Sequence, residues 1–264
     1  MIDMHTHAFS EEIAERAVKK LAENSNVEPF LNGTLEDLSK STRNAELEYS
    51  IVAPIATKPS QVRTINIWAL DIHKKYNNLI GFGTLHPHME NPEKEVEWLL
   101  ENKFKGIKVH PDYQMTLIDD PKFMKIHKAL AKAGLILLTH AGYDIGLPPP
   151  RHCNPKNLAK VMDTVPDLTI IAAHMGGIEE QEDVEKYYFG RNIYLDTCYT
   201  HHHINGNQLA KKIKSHGVDK ILFGTDSPWS DQKEQINYIK SLPLLTEKEK
   251  NMVLEENAKR LLKL

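Results

Sequence analysis

A short apolar run followed by a helical pattern recurs along this chain about every 25 to 35 residues, and no other feature constrains the fold as tightly. Eight such runs can be read: Ile2 to His7, Tyr49 to Ala56, Leu79 to Pro87, Phe104 to Pro111, Leu135 to Gly142, Leu168 to Gly177, Ile193 to Tyr199 and Ile221 to Pro228. Most are continuously apolar rather than alternating, as parallel strands covered by helices must be. Between them, Val96, Leu99 and Leu100 fall at helical spacing, and Phe123, Ile126, Leu130 and Ala133 form a second stripe. Asp119-Asp120-Pro121 supplies a cap and a first-turn proline for that stripe, and Gly134 ends it. Thr246 to Glu249 reads as a capping box opening a last helix with Leu254, Ala258, Leu261 and Leu262 on its inward face. Eight strand-then-helix units without a glycine-rich phosphate turn predict an α/β fold, a single (β/α)8 TIM barrel spanning 1–264 as one domain.

Composition narrows the function. The 264 residues carry 33 basic against 36 acidic side chains, a net charge of −3, so neither a nucleic-acid footprint nor a polybasic membrane surface is present. A small-molecule substrate is the expected partner, and homo-oligomerisation is left open. Met1-Ile2-Asp3-Met4-His5 lacks the basic start and apolar stretch of a signal peptide, and a cytoplasmic location is expected. Two cysteines, Cys153 and Cys198, are too few for a disulfide framework and are read as free thiols.

In this fold the chemistry sits at the C-terminal ends of the strands. Of the 14 histidines, only His73, His127 and His216 fall in expected helices; the rest end strands or follow them. His5-Thr6-His7 places two imidazoles on one face of the first strand, a weak signal alone. Its company strengthens it, because His140 closes the fifth run, His174 the sixth and Asp226 the eighth. Five metal-competent side chains therefore meet at one barrel mouth. Burying them unpaired would cost about 1–3 kcal/mol each. Strand alternation also turns Lys108 and His110 toward the mouth. Arg151, in the loop Tyr143 to Pro155, could grip a substrate carboxylate, and Tyr143, Trp229, His86 and His88 could line a pocket. His201-His202-His203 is read as a solvated loop.

Taken in order, Asp3-Met4-His5-Thr6-His7, Gly106-Ile107-Lys108-Val109-His110-Pro111, the histidine strand ends, Gly224-Thr225-Asp226-Ser227-Pro228 and Glu256-Asn257-Ala258 resemble the amidohydrolase superfamily, specifically the single-domain branch similar to aminocarboxymuconate-semialdehyde decarboxylase. The resemblance implies a metal held by His5, His7, His140 and Asp226, with Asp226 as acid/base and His174 either a proton or substrate contact or a further ligand. Zinc is the expected ion and manganese is compatible with the carboxylate ligand. Related enzymes use a carbamylated lysine at a similar place to bridge two metals; otherwise Lys108 stays an amine that attracts an anionic substrate, or is merely paired with a carboxylate. One ion is expected with the amine, two with the carbamate. The reaction implied first is hydrolysis of an amide, ester or lactone by a metal-activated water. Non-oxidative decarboxylation or hydration of a small carboxylic acid is the alternative, and a non-catalytic metal-binding protein the second.

Overall fold

All eight apolar runs contribute strand, and alternation explains why continuous hydrophobicity was required. The computed structural model describes residues 1–264 apart from the side chain of His73. The strands are β1 (Ile2–Thr6), β2 (Tyr49–Val52), β3 (Leu79–Gly81), β4 (Gly83–Thr84), β5 (Gly106–Val109), β6 (Ile136–Thr139), β7 (Ile170–Ala172), β8 (Tyr194–Asp196) and β9 (Ile221–Leu222). Neighbouring pairs are parallel, β1 to β3 in one arc and β4 to β9 in the other. The third run is interrupted only at Phe82, whose N–H donates to Val52 O at 2.9 Å, so β3 and β4 form one stave. The other seam is closed by Met4 N to Phe223 O at 2.8 Å, Asp226 N to His5 O at 2.8 Å and His7 N to Ser227 O at 2.6 Å. The result is a (β/α)8 barrel.

Successive residues of each stave serve two cores. Ile136, Leu138, Ile171 and Leu222 pack inside the barrel with Ile2, Met4, Ile51, Ile80 and Phe82. Ala258 and Leu262 of the last helix join that cluster. Ile107, Val109, Leu137, Ile170, Leu195, Ile221 and Phe223 point outward onto the helices. Neither face of a stave meets water, so neither tolerates a polar alternation.

Helix ends follow the local chemistry. Asp120 caps the helix Pro121–Ala133 through Lys122 N, and Gly134 ends it in the left-handed conformation at φ 66°. Thr246 and Glu249 form the reciprocal capping box. That last helix then passes through a π turn at Met252–Glu256. The turn carries buried Val253, and Asn257 beyond it donates to Val218 O at 2.7 Å and Ile221 O at 2.8 Å, anchoring the start of β9. One stripe position differs from expectation: Leu100 is 49% exposed while Val96 and Leu99 of its helix are buried. The long connection from β1 to β2 holds two helices, Ala14–Ser25 and Leu35–Asn44. Among the described residues no helix is long and apolar enough to cross a membrane, and Cys153 and Cys198 are both unpaired and buried.

Candidate metal centre and active site

The first strand delivers its two histidines by a bulge. Ile2 and Asp3 pair with Tyr49 and Ser50, but Thr6 pairs with Val52, so β1 carries an extra residue between Asp3 and Thr6. Met4 can thus pack in the barrel while His5 and His7 also turn toward its mouth. Asp3 instead accepts from Thr225 Oγ1 at 2.6 Å and Gln232 Nε2 at 2.7 Å, fastening the seam where the barrel closes. Gly224 leaves the room His5 needs, because a Cβ there would stand 3.0 Å from His5 Cβ and 3.4 Å from those of Asp196 and Cys198.

His5 Nε2 lies 3.2 Å from His7 Nε2, and Asp226 Oδ1 lies 3.7 Å and 3.1 Å from those two nitrogens. Ligands held about 2.0–2.2 Å from one ion are themselves separated by roughly 3.0–3.6 Å, so these spacings fit a common cation. The opposite ring nitrogens are fixed by acceptors: His5 Nδ1 donates to Asp196 Oδ2 at 2.9 Å, and His7 Nδ1 donates to Ala53 O at 2.9 Å. Both bonds leave a lone pair on each Nε2; that of His5 accepts from Lys108 Nζ at 2.9 Å, where a cation would take the amine's place.

His140 stands outside this group of three. Its Nε2 is nevertheless buried and without a hydrogen-bond partner, and it lines the same cavity. Its Nδ1 faces His174 Nε2 at 3.1 Å, and His174 Nδ1 faces Cys198 O at 3.2 Å. One consistent tautomer chain results: Cys198 O accepts from His174, whose Nε2 accepts from His140, leaving His140 Nε2 as a free donor atom. His174 reaches this place because it and Met175 adopt left-handed backbone conformations, φ 59° and 51°, where the chain leaves β7. Both its nitrogens are engaged, and the structure does not bring them into the His5, His7 and Asp226 group.

Burial keeps His5, His110 and His140 neutral. Burial, aided by Lys108, lowers the His5 pKa to about 4 against the pull of Asp196. Burial pushes His110 and His140 well below the ordinary histidine value. Burial alone would raise the carboxyl of Asp226, but its contacts with His7, His5 and His174 hold it well below the carboxylate range. Neutral imidazoles beside an ionised carboxylate are the forms that bind a divalent cation.

Lys108 is buried and donates from Nζ to His5 Nε2 at 2.9 Å. Burial lowers its pKa, opposed by Cys198, Asp196 and Asp226. His110 stacks on His140 with ring centroids 4.1 Å apart and donates to Asp144 Oδ2 at 2.9 Å. Tyr143 and Trp229 line the cavity, as do His110 and Asp144. Arg151 is not brought there: its guanidinium pairs with Glu180 at 2.9 Å and Glu179 at 3.2 Å and stacks over Tyr143, so it holds the loop rim. His86 and His88 also lie outside the cavity wall, His88 facing Thr116 Oγ1 at 3.1 Å. His202 and His203 are exposed and His201 is half-buried.

Asp196 was missed by sequence reasoning. It lies within the seventh apolar run, and only the fold shows that it accepts from His5 Nδ1, His174 N and Cys198 N at 2.9, 2.9 and 3.2 Å. Its inward parity in Tyr194-Leu195-Asp196, with Leu195 in the outer core, was the available signal.

A (β/α)8 barrel with histidines and an aspartate gathered at its C-terminal mouth defines a class of metal-dependent barrel enzymes. The chain belongs to the amidohydrolase family, whose model matches residues 2–264. Its fold is shared with 5-carboxyvanillate decarboxylase from Sphingomonas paucimobilis, at 15% identity and TM-score 0.73 over 100% of this chain and 99% of that one. A dihydroxybenzoic acid decarboxylase from Polaromonas sp. JS666, solved with manganese and 2-nitroresorcinol, matches at 17% identity and TM-score 0.74 over 100% and 96%. An uncharacterised TIM-barrel protein from Bordetella bronchiseptica matches at 18% identity and TM-score 0.81 over 100% and 98%. A search of curated protein sequences returns no match.

Proposed function

We propose that this enzyme removes CO2 non-oxidatively from a small carboxylic acid, using one divalent cation held by His5, His7, His140 and Asp226. The observation that carries the reading is Lys108: a buried amine beside the donor cluster, at the floor of a mostly apolar cavity of about 600 Å³. One fixed positive charge in a low-dielectric floor draws a carboxylate to the donors, and the apolar wall favours its conversion to neutral CO2. The named reactions of the Sphingomonas and Polaromonas neighbours support the same chemistry. Hydrolysis, the first expectation from the sequence, rests on family membership alone.

When bound, the cation supplies a Lewis acid that polarises substrate oxygens and balances their charge. The protein's own groups do the rest. Lys108 orients the carboxylate as an amine, not as a carbamate. Asp226 lines the cavity, and we assign it the proton transfer: it takes a proton from substrate or solvent and delivers it to the carbon that CO2 leaves, so that RCOO⁻ and H⁺ give RH and CO2. His174 holds His140, and Asp196 holds His5. Three imidazoles and one carboxylate suit zinc, and manganese is the ion of the Polaromonas neighbour.

The test is a panel of hydroxybenzoates and unsaturated acids with zinc- or manganese-reconstituted protein in D2O. Release of CO2 with one deuterium at the vacated carbon is expected. Turnover of amides, esters or lactones without CO2 from any acid would contradict the reading.

A further inference from the structure

The cavity is larger, and more one-sided in its charge, than a single-ring acid requires. The helix Ala14–Ser25 carries two apolar stripes. Ala14 and Val18 are buried, with Val18 packed so closely on Gly33 that a Cβ there would lie 2.4 Å from Val18 Cγ2. Ile13, Ala17 and Leu21, one position round the helix, instead line the cavity, and Ile13 is 41% exposed. Ile65 and Trp68 of the helix Val62–Lys75 also line the cavity, and these five side chains make up its apolar arm. Ser25 Cβ lies 3.7 Å from the position a Gly146 Cβ would take, so the loop after β6 meets the last residue of the helix Ala14–Ser25.

Charge along this wall is sparse and mostly negative. Among the described residues the cavity's only lysine is Lys108 and it has no arginine, while Glu12, Asp144 and Asp226 contribute carboxylates. A second anionic group carried into the arm would meet no cation. A cavity of about 150 Å³ suffices for benzene, so most of the 600 Å³ is available to something beyond a ring.

We infer that the substrate is an amphipathic mono-anion, with one carboxylate on a ring or unsaturated head at Lys108 and an apolar extension lying among Ile13, Ala17, Leu21, Ile65 and Trp68. The inference rests on the decarboxylase reading of the same site, but binding tests it separately from turnover. Calorimetric titration of the metal-reconstituted protein with 4-alkylbenzoates, methyl to hexyl, should show Kd falling about four-fold per added methylene, the equivalent of about 0.8 kcal/mol each. Terephthalate should bind at least ten-fold more weakly than 4-methylbenzoate. Ala17→Phe and Leu21→Asp, each placed in the arm, should abolish the gain with chain length. A flat series, tighter binding of the diacid, or a chain-length gain that survives both substitutions would overturn the inference. If no acid releases CO2 while the gain holds, only the reaction assignment fails; CO2 release from short acids with a flat series overturns only the substrate class.

Discussion

Replacing Asp196 with Asn removes one charge from a fully buried position without changing the shape of the side chain. Burial alone would raise this carboxyl, yet its interaction and hydrogen bond with His5, with help from His174 and Cys198, lower its pKa from 3.8 to about 2. That shift corresponds to on the order of 2 kcal/mol favouring the ionised form. Because the folded pKa is depressed, this stability is present above pH 4 and is lost as pH falls toward 2. The same carboxylate fixes the His5 tautomer that presents Nε2 to the cluster. Loss of such an orienting partner weakens metal affinity about 10–100-fold, or about 1.4–2.8 kcal/mol. Competition with a metallochromic chelator at pH 7.5 should therefore show that weakening for Asp196→Asn, with circular dichroism unchanged. Zinc or manganese affinity within two-fold of wild type would refute the role given to Asp196.

Asp226→Asn should keep the fold while turnover falls about 10²–10⁴-fold, measured as CO2 release from whichever acid is a substrate; near-normal kcat would remove Asp226 from the proton transfer. His127, far from the cluster, is buried, donates from Nε2 to Ile118 O at 2.9 Å, and has its pKa lowered by burial from 6.5 to about 4. The unfolded imidazole takes a proton below 6.5 while the folded one resists until about 4, so stability is present above pH 6.5 and lost below it, by on the order of 3 kcal/mol. In urea titrations from pH 7.5 to 4.5, His127→Gln should lose less stability than wild type by that amount, and a constant difference between the two proteins would contradict this.

The barrel was legible because its staves are buried on both faces, which forces continuous apolar runs such as Ile136 to Leu138. Leu100 misled because helical spacing alone cannot say which edge of a stripe meets the sheet, and here it meets water. His5 and His7 were legible from their own spacing, although a bulge rather than regular alternation brings them in line. Asp196 was not legible, since its partner His5 lies 191 residues away and is found only when β1 and β8 are placed in one barrel. The apolar stripe Ile13, Ala17 and Leu21 was equally silent, because a helix lining a cavity and a helix packed on a core show the same periodicity. Arg151 suited a carboxylate, but Glu179 and Glu180 already supply two.

The proposed chemistry requires one divalent ion held by His5, His7, His140 and Asp226, with Lys108 as a free amine. Metal content per chain after reconstitution with excess zinc or manganese and bicarbonate, paired with anomalous scattering from crystals of that material, measures it directly. One ion per chain, with anomalous density between His5 Nε2, His7 Nε2 and Asp226 and none elsewhere at the mouth, is the expected result. Two ions with added density on Lys108 Nζ, or metal-free protein with these side chains pointing apart, would contradict it.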